Sequence, residues 1–520
     1  MKQTILTGNK ARKKILSASQ KLSDLVGLTL GPCGRNVIVQ NEHLTPLITN
    51  DGVTIARAVL LEDEAENLIA QTIIQASTQT NTNAGDGTTS AIVLACEIIK
   101  QGIKQVELGA SPVILKEELA KFGSSAVNKI TELAKPIAGE KEIMAIARNS
   151  SSSLEYGQII VDAFKKVGTG GVVTIEENRE GKTYIRHVEG CEVKTLFASP
   201  HMIENPAKLE TLYTDAHLLL IDGELNALKE IMPALELAAT KELCLVIVAS
   251  DYSKQVTNAI ILNRMRAGLK VVALKLDEMG NRQDALLNDL AALSGATLVG
   301  GHSGLRPESI QQEHLGKAQT IHCGRDSTKI IVEKSQNNSS LQERIEVIRT
   351  QIGAAEDEYT RTRLNERMAR LTNGIAVISV GAPTEIELRE KKLRIEDGVF
   401  AVKAAAKSGI IVGGGVAYLL AKPSGQSSTA HTIMTSALES IFRRICFNSD
   451  ENPDIALDKV KGQENFHFGF DALAKKYCDL FAANIVDPAT VIKQVIQNAI
   501  SVASTLLTTD GIICATINHV

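Results

Sequence analysis

Gly85-Asp86-Gly87-Thr88-Thr89-Ser90 runs directly into the apolar stretch Ala91-Ile92-Val93-Leu94-Ala95. One carboxylate stands between two glycines, and three hydroxyl residues follow where the pattern predicts a helix start. Glycine lets the backbone approach a ligand closely and adopt φ > 0. A helix N-terminus offers unpaired N–H groups and partial positive charge, a good seat for phosphate. Asp86 adds an oxygen ligand for the magnesium that accompanies a nucleoside triphosphate. The same residues also fit a plain turn and a capped helix. The rest of the chain decides between the two.

The chain has 520 residues, enough for roughly three domains. It is 44% hydrophobic but only 3% aromatic, with no Trp, so its cores are aliphatic. The net charge of −4 comes without a long basic block, which argues against a nucleic-acid partner. Charges at Lys2, Lys10, Arg12, Lys13 and Lys14 leave no room for the apolar core of a secretory leader. The longest apolar runs, such as Leu243-Cys244-Leu245-Val246-Ile247-Val248, have the length of buried strands and not of membrane spans. The eight cysteines are scattered, with no CxxC pair and no His/Cys cluster, as expected of isolated thiols in a reducing compartment. A cytoplasmic address without a membrane partner follows as the expectation.

Helical spacing predicts helices over Lys10–Leu25, Glu66–Ala76 and Ser90–Gln101, with a short strand at Val37-Ile38-Val39. From about residue 133 to 190 the texture becomes mixed, leading through Gly168-Thr169-Gly170-Gly171 to the strand-like Val172-Val173-Thr174-Ile175. Residues ~190–373 alternate buried strands (Leu218–Ile221, Leu245–Val248, Val271–Leu274) with helices. One long amphipathic helix is predicted from Leu341 to Leu371, burying Ile345, Ile348, Ile352, Leu364, Met368 and Leu371. Asn337–Ser340 and Ser424–Thr429 read as loops. Beyond Gly374 come a strand, Ile375–Val380, and a return to helix-rich sequence. A helical–mixed–α/β–mixed–helical order suggests nested domains.

Other acids lie beside structure breakers: Asn50-Asp51-Gly52, Glu396-Asp397-Gly398 and Val486-Asp487-Pro488. A glycine triplet, Gly413-Gly414-Gly415, follows the apolar Ile410-Ile411-Val412. Singly, each fits a turn, a cap or a solvated helix face. No Walker A, GxGxxG, GxSxG or HExxH pattern occurs. Taken together and in order, Thr29-Leu30-Gly31-Pro32 with Gly34-Arg35-Asn36-Val37, Asp51-Gly52-Val53, Gly85–Thr89, Glu385 with Arg394–Asp397, Gly413–Ala417 and Asp487-Pro488 resemble the group I chaperonins. The likeness is collinear from about residue 5 to 515, and a full-length match is far more specific than any single motif.

The resemblance implies a multidomain fold: a mainly α-helical equatorial domain (1–132 and 408–520), a small α/β intermediate domain (133–189 and 374–407), and an α/β apical domain (190–373) with a β-sandwich-like core flanked by helices. Pro136 and Gly409 would match one hinge, Gly190 and Gly374 the other. It further implies ATP and Mg2+, with K+ as a further candidate ion. Thr29, Leu30, Gly31, Pro32, Asn50 and Gly87 would line the nucleotide, Asp86 would hold magnesium, and Thr88, Thr89 and Ser90 would bond phosphates. Gly414, Asp471 and Asp487 would lie at the ribose and base, while Asp397, helped by Asp51, would orient or deprotonate the attacking water. Delivery of Asp397 by domain closure would couple hydrolysis to conformation. Non-native polypeptides and a co-chaperonin lid would bind an exposed apical patch at Phe197, His201, Met202, Met232, Leu235, Thr257, Ile261 and Leu262. The assembly implied is a homo-oligomer of seven-membered rings, with mixing with a paralogue as an alternative.

The chain departs from the family pattern at several positions. Asn50 stands where the family has Lys, and losing one charge-assisted contact costs about 1.5–3 kcal/mol. Asp471 replaces an Asn, Ile146-Ala147-Arg148-Asn149 lacks a hydroxyl, His201 replaces Tyr and Thr257 replaces Leu. Thr195 replaces an Arg, leaving Glu385 without its expected intersubunit partner, and the chain ends at Asn518-His519-Val520 without a Gly-Gly-Met tail. These departures describe a diverged paralogue. The leading expectation is an ATP-dependent folding chaperone. A structural paralogue with weakened ATPase is the second, and a small-molecule kinase of unrelated fold a remote third.

Overall fold

The computed structural model describes residues 3–40, 46–137, 139–151, 153–168, 170–178, 180–206, 209–301, 303–332, 339–355, 357–423 and 428–515. They divide into two compact units. One comprises Met1–Asp162, Glu177–Thr183 and Val380–Val520, the other Ala163–Glu176 and Tyr184–Ser379. The first unit takes both ends of the chain.

The first unit is built around the helix Thr88–Glu107. Between Thr88 and Ile99 its one charged residue is Glu97, so it is apolar nearly all round, the mark of a helix buried on every side. Ile92, Leu94, Ile98 and Ile99 are fully buried. Helices Asn9–Gly27, Glu64–Ala84, Thr429–Asn448 and Ala489–Leu507 surround it. The three predicted helices are present and longer than predicted. A further helix, Pro112–Leu133, begins with Pro in its first turn, where the missing N–H costs nothing. Strands Gln3–Thr7 and Gly511–Ala515 pair antiparallel and tie the two chain ends together. Lys135 and Ile410 form an isolated bridge, and a Cβ on Gly409 would sit 2.5 Å from the Lys135 carbonyl oxygen. Only glycine permits that close pass between outgoing and returning chain.

The second unit is organised on one ten-stranded mixed sheet. Its order is Val172–Glu177, Ile375–Val380, Tyr184–Val193, Thr328–Val332, Gly316–Cys323, Thr211–Asp222, Cys244–Ala249, Val271–Leu276 and Thr195–Phe197, with Leu298–Gly300 on Thr211–Asp222. The three runs read as buried strands form its parallel centre, covered by helices Leu228–Lys241, Lys254–Ala267 and Asn281–Ser294. Tyr184–Val193 changes partner midway: its first half pairs with Ile375–Ser379, so Tyr184 faces Ser379, and its second half with Thr328–Val332.

The single helix predicted over Leu341–Leu371 is two helices, Ser339–Ala354 and Glu358–Thr372. Asp357 restarts the second by accepting the Thr360 N–H at 2.7 Å, a local cap that outcompetes continuation. The predicted apolar face survives the break, with Ile345, Ile348 and Leu371 buried and Ile352, Leu364 and Met368 packed against the same core. Nearby, Asp289 is buried and accepts from Arg344 Nε at 2.7 Å and from Arg367 Nη2 and Nε at 2.8 and 2.9 Å, joining three helices. Ser339 and Ser340, read as loop, begin a helix, and Ser428 caps Thr429–Asn448. Residues 337–338 and 424–427 of the predicted loops, Thr169 and the terminal Asn518–Val520 lie outside the described residues.

Glu385 has a partner in its own helix, Arg389, four residues on. Thr195 is buried and shares a 2.8 Å hydrogen bond with the Thr328 hydroxyl. Among the described residues no helix is long and apolar enough to cross a membrane, and the cysteines are all free thiols.

Candidate active site

A cavity of about 380 Å³ opens within the first unit. The sequence builds it from chain segments that end secondary structure. Gly85 closes the helix Glu64–Ala84 at φ 70° and Gly87 precedes Thr88–Glu107 at φ 82°, both in the left-handed region that a side chain resists. A Cβ on Gly87 would meet Val491 and Val495 at 2.7 and 2.8 Å, so space and conformation both demand glycine there. No side chain caps the start of Thr88–Glu107, which leaves its first turn to the cavity. Asp51 caps the short helix Gly52–Ala58, accepting from the backbone of Val53 at 3.2 Å and Thr54 at 2.9 Å. A Cβ on Gly52 would lie 2.2 Å from Thr89 Oγ1, and that tight packing brings Asp51 beside the Asp86 loop.

Every residue expected at the nucleotide lines this one cavity: Thr29, Leu30, Gly31, Pro32, Asn50, Asp51, Asp86, Gly87, Thr88, Thr89, Ser90, Asp397, Gly414, Asp471 and Asp487. Asp397 reaches it from the helix Glu385–Ser408, and Gly414 from the turn after strand Ile410–Val412. Asp487 is in the paired strand Val486–Pro488, one residue further from the last helix than a cap would be, because Pro488 takes the N-cap position.

Three of these acids are held away from their ordinary charge state. Burial raises the Asp397 carboxyl well above its usual range, and the negative charges of Asp86, Asp51 and Glu396 add to it while Arg394 opposes. Burial likewise raises Asp86, against the Gly87 N–H at 2.6 Å and the Ser150 hydroxyl at 3.0 Å that stabilise its charge. Asp487 is pushed up to about 7 by burial and then by Asp86. Crowded, desolvated carboxylates of this kind are relieved by a cation.

The linkage has a definite sign. Each raised carboxyl binds protons in the folded state at a pH where the unfolded chain has released them, so stability falls as pH rises through that window. For Asp487 the window runs from the ordinary carboxylate range near 4 to about 7. Thermal unfolding of the ligand-free protein is therefore expected at lower temperature at pH 7.5 than at pH 5.5. Asp487→Asn should flatten that slope, and an unaltered slope in the variant would refute the coupling.

Asp471 does not aim a bare charge at the pocket: its Oδ1 accepts the N–H groups of Leu473 and Ala474 at 3.1 and 3.0 Å. The loss of a hydroxyl at Ala147 is met by Ser150 and Ser153, which both line the cavity. Sequence reading missed these two, Tyr418, and the apolar wall of Ile445, Phe470, Ile485 and Val491. Serine and aliphatic residues carry no distinguishing pattern, although Ser150 follows directly on Asn149. Burial, then Asp487 and Asp86, push the Tyr418 phenol far above its ordinary range, with Ser90 opposing.

In the second unit the expected polypeptide-binding residues separate. Met232 and Leu262 are exposed at 41% and 48%, and His201 is exposed. Phe197 and Ile261 are half-buried against the core, and Thr257 is half-buried with its hydroxyl on the Ser253 carbonyl. Met202 and Leu235 contradict the expectation of an exposed patch. Met202 is fully buried with its sulfur accepting the Ala273 N–H at 3.2 Å, and Leu235 lies on the inward face of Leu228–Lys241. Met265 and Met279, at 76% and 88%, are the exposed methionines that sequence reading passed over.

The family model described as TCP-1/cpn60 chaperonin family matches residues 22–516. Two crystal structures of the chaperonin gp146 from bacteriophage EL 2 (Pseudomonas aeruginosa), both in the presence of ATP-BeFx, share the fold. One superposes with a TM-score of 0.70 at 18% identity and the other with 0.63 at 19%, each covering 99% of both chains.

Proposed function

The chain belongs to the TCP-1/cpn60 chaperonin family, and from that premise we propose that it is an ATP-dependent chaperonin that binds non-native polypeptides and assists their folding in a ring-shaped oligomer. The observation that carries this reading is the convergence, in one cavity, of every residue assigned to nucleotide from sequence. A triphosphate fits the uncapped helix start at Thr88–Ser90 and the glycine turns around Asp86. No group of three or more His, Cys, Asp or Glu that could hold a metal occurs among the described residues. Magnesium takes one or two carboxylates and completes its shell with phosphate oxygens and water. Asp86 would supply that carboxylate, and K+ would be a second ion at the phosphates. Asp397, whose charge burial and the neighbouring acids disfavour, would ionise once a cation offsets those charges, and would then orient the attacking water and accept its proton, with Asp51 beside it.

The division into equatorial (1–132, 408–520), intermediate (133–189, 374–407) and apical (190–373) domains belongs to this proposal, as do seven-membered homo-oligomeric rings, a co-chaperonin lid and a cytoplasmic address. Exposed Met232, Leu262, Met265 and Met279 supply the adaptable apolar surface that a client would use. A second reading, a structural paralogue with little ATPase, is favoured by Asn50, which brings no positive charge to a cavity rich in aspartate. Refolding of a denatured client with MgATP and a co-chaperonin, alongside electron microscopy of the purified protein, separates the two. Rings with an ATP-dependent refolding yield are expected. Rings without any gain in yield would support the second reading, and the lack of rings in every nucleotide state would overturn the first.

A further inference from the structure

The charged residues lining the cavity are aspartates together with two cations, Arg148 and Arg394. Arg394 is already engaged, its Nε donating to Glu390 one helical turn back at 3.2 Å. Arg148 is exposed and, among the described residues, has neither an ion pair nor a hydrogen bond of its side chain. The two residues that follow it are anchored by their side chains. Asn149 donates to the carbonyls of Asn484 and Val486, each at 3.2 Å, and Ser150 donates to Asp86 at 3.0 Å. A Cβ on Gly157 would lie 3.2 Å from Arg148 N and Cα, so the helix Leu154–Val167 packs directly on the Arg148 main chain. A held backbone with an uncommitted guanidinium at the wall of an anion-binding cavity describes a ligand-binding arginine.

We propose that Arg148 is the residue that grips the outermost phosphate of a nucleoside triphosphate in this cavity. The proposal rests on the nucleotide reading above and adds to it the group that neutralises the terminal phosphate. A guanidinium presents two parallel donors to phosphate oxygens, a geometry that a lysine ammonium lacks. A cation that touches the terminal phosphate discriminates triphosphate from diphosphate. The uncapped helix start, by contrast, serves any phosphate.

The test is isothermal titration of MgATP and MgADP into wild type, R148A, R148Q and R148K. Loss of the arginine should weaken MgATP by roughly ten- to a hundred-fold and leave MgADP unchanged, with R148K intermediate for MgATP. Thermal unfolding of the ligand-free variants should match wild type, since the side chain has no hydrogen bond or ion pair with a described residue to lose; R148Q, which keeps the polar stem, covers any loss of folding in R148A. Equal weakening of both nucleotides, or no weakening of either, would overturn the role of Arg148 while leaving the nucleotide site in place. Failure of wild type to bind either nucleotide would instead overturn the nucleotide reading, and this proposal with it.

Discussion

Replacing Asp397 by alanine is expected to lower phosphate release by roughly 10²–10⁴-fold, the usual contribution of a positioned general base, while MgATP still binds. The side chain reaches the cavity from the Glu385–Ser408 helix, and burial together with Asp86, Asp51 and Glu396 raises its proton affinity. In the ligand-free protein a charge at this position is disfavoured, so its removal should not lower the unfolding temperature. That separates a chemical role from a structural one: a merely structural residue would lose rate and stability together. Asp397→Asn, which keeps shape and hydrogen bonding, should be as slow as the alanine variant. If wild type and both variants release phosphate at the same background rate, the ATPase assignment fails and the structural paralogue stands.

The second large effect is one of stability. Asp289→Ala is expected to destabilise the second unit by about 3–5 kcal/mol, the range for breaking a buried ion pair by removing one partner. Asp289 is 2% exposed and holds Arg344 and Arg367 through three hydrogen bonds. Its loss leaves two mostly buried guanidinium groups facing each other without a counter-ion. The result should appear as faster amide exchange across helices Asn281–Ser294, Ser339–Ala354 and Glu358–Thr372, with the first unit unaffected. Arg344→Ala should cost less, because Arg367 keeps both of its bonds to the carboxylate. Wild-type protection in Asp289→Ala would refute the clamp.

The two predictions differ in how far the sequence foretold them. The expectation for Asp397 came from the likeness of the ordered motif series to the group I chaperonins, since Glu396-Asp397-Gly398 by itself reads as a solvated helix face. The parallel strands were legible, since buried strands of a parallel sheet are continuous apolar runs. Asp289 was not legible, because its partners lie 55 and 78 residues away and ion pairing across a fold leaves no local pattern. The break before Asp357 lost out to an apolar periodicity that carries on past it: both helices bury one face against the same core, so the spacing reads as one. Met202 and Leu235 show the converse limit. Burial depends on which face of an element the fold covers, and an apolar residue looks the same on either. At Asp471 charge alone was visible, whereas the structure shows it satisfied within its own turn.

The pairing of Tyr184 with Ser379 brings together the two ends of the long segment Tyr184–Ser379 of the second unit. Residues opposed on antiparallel strands lie about 4.5–5.5 Å apart, a gap that a tight turn can span. For the chain that flanks it, this segment is equivalent to a hairpin connection: Thr183 and Gly381 exchange two hydrogen bonds of 3.2 Å. The segment can therefore change size, surface and sequence while the residues that flank it keep their pairing.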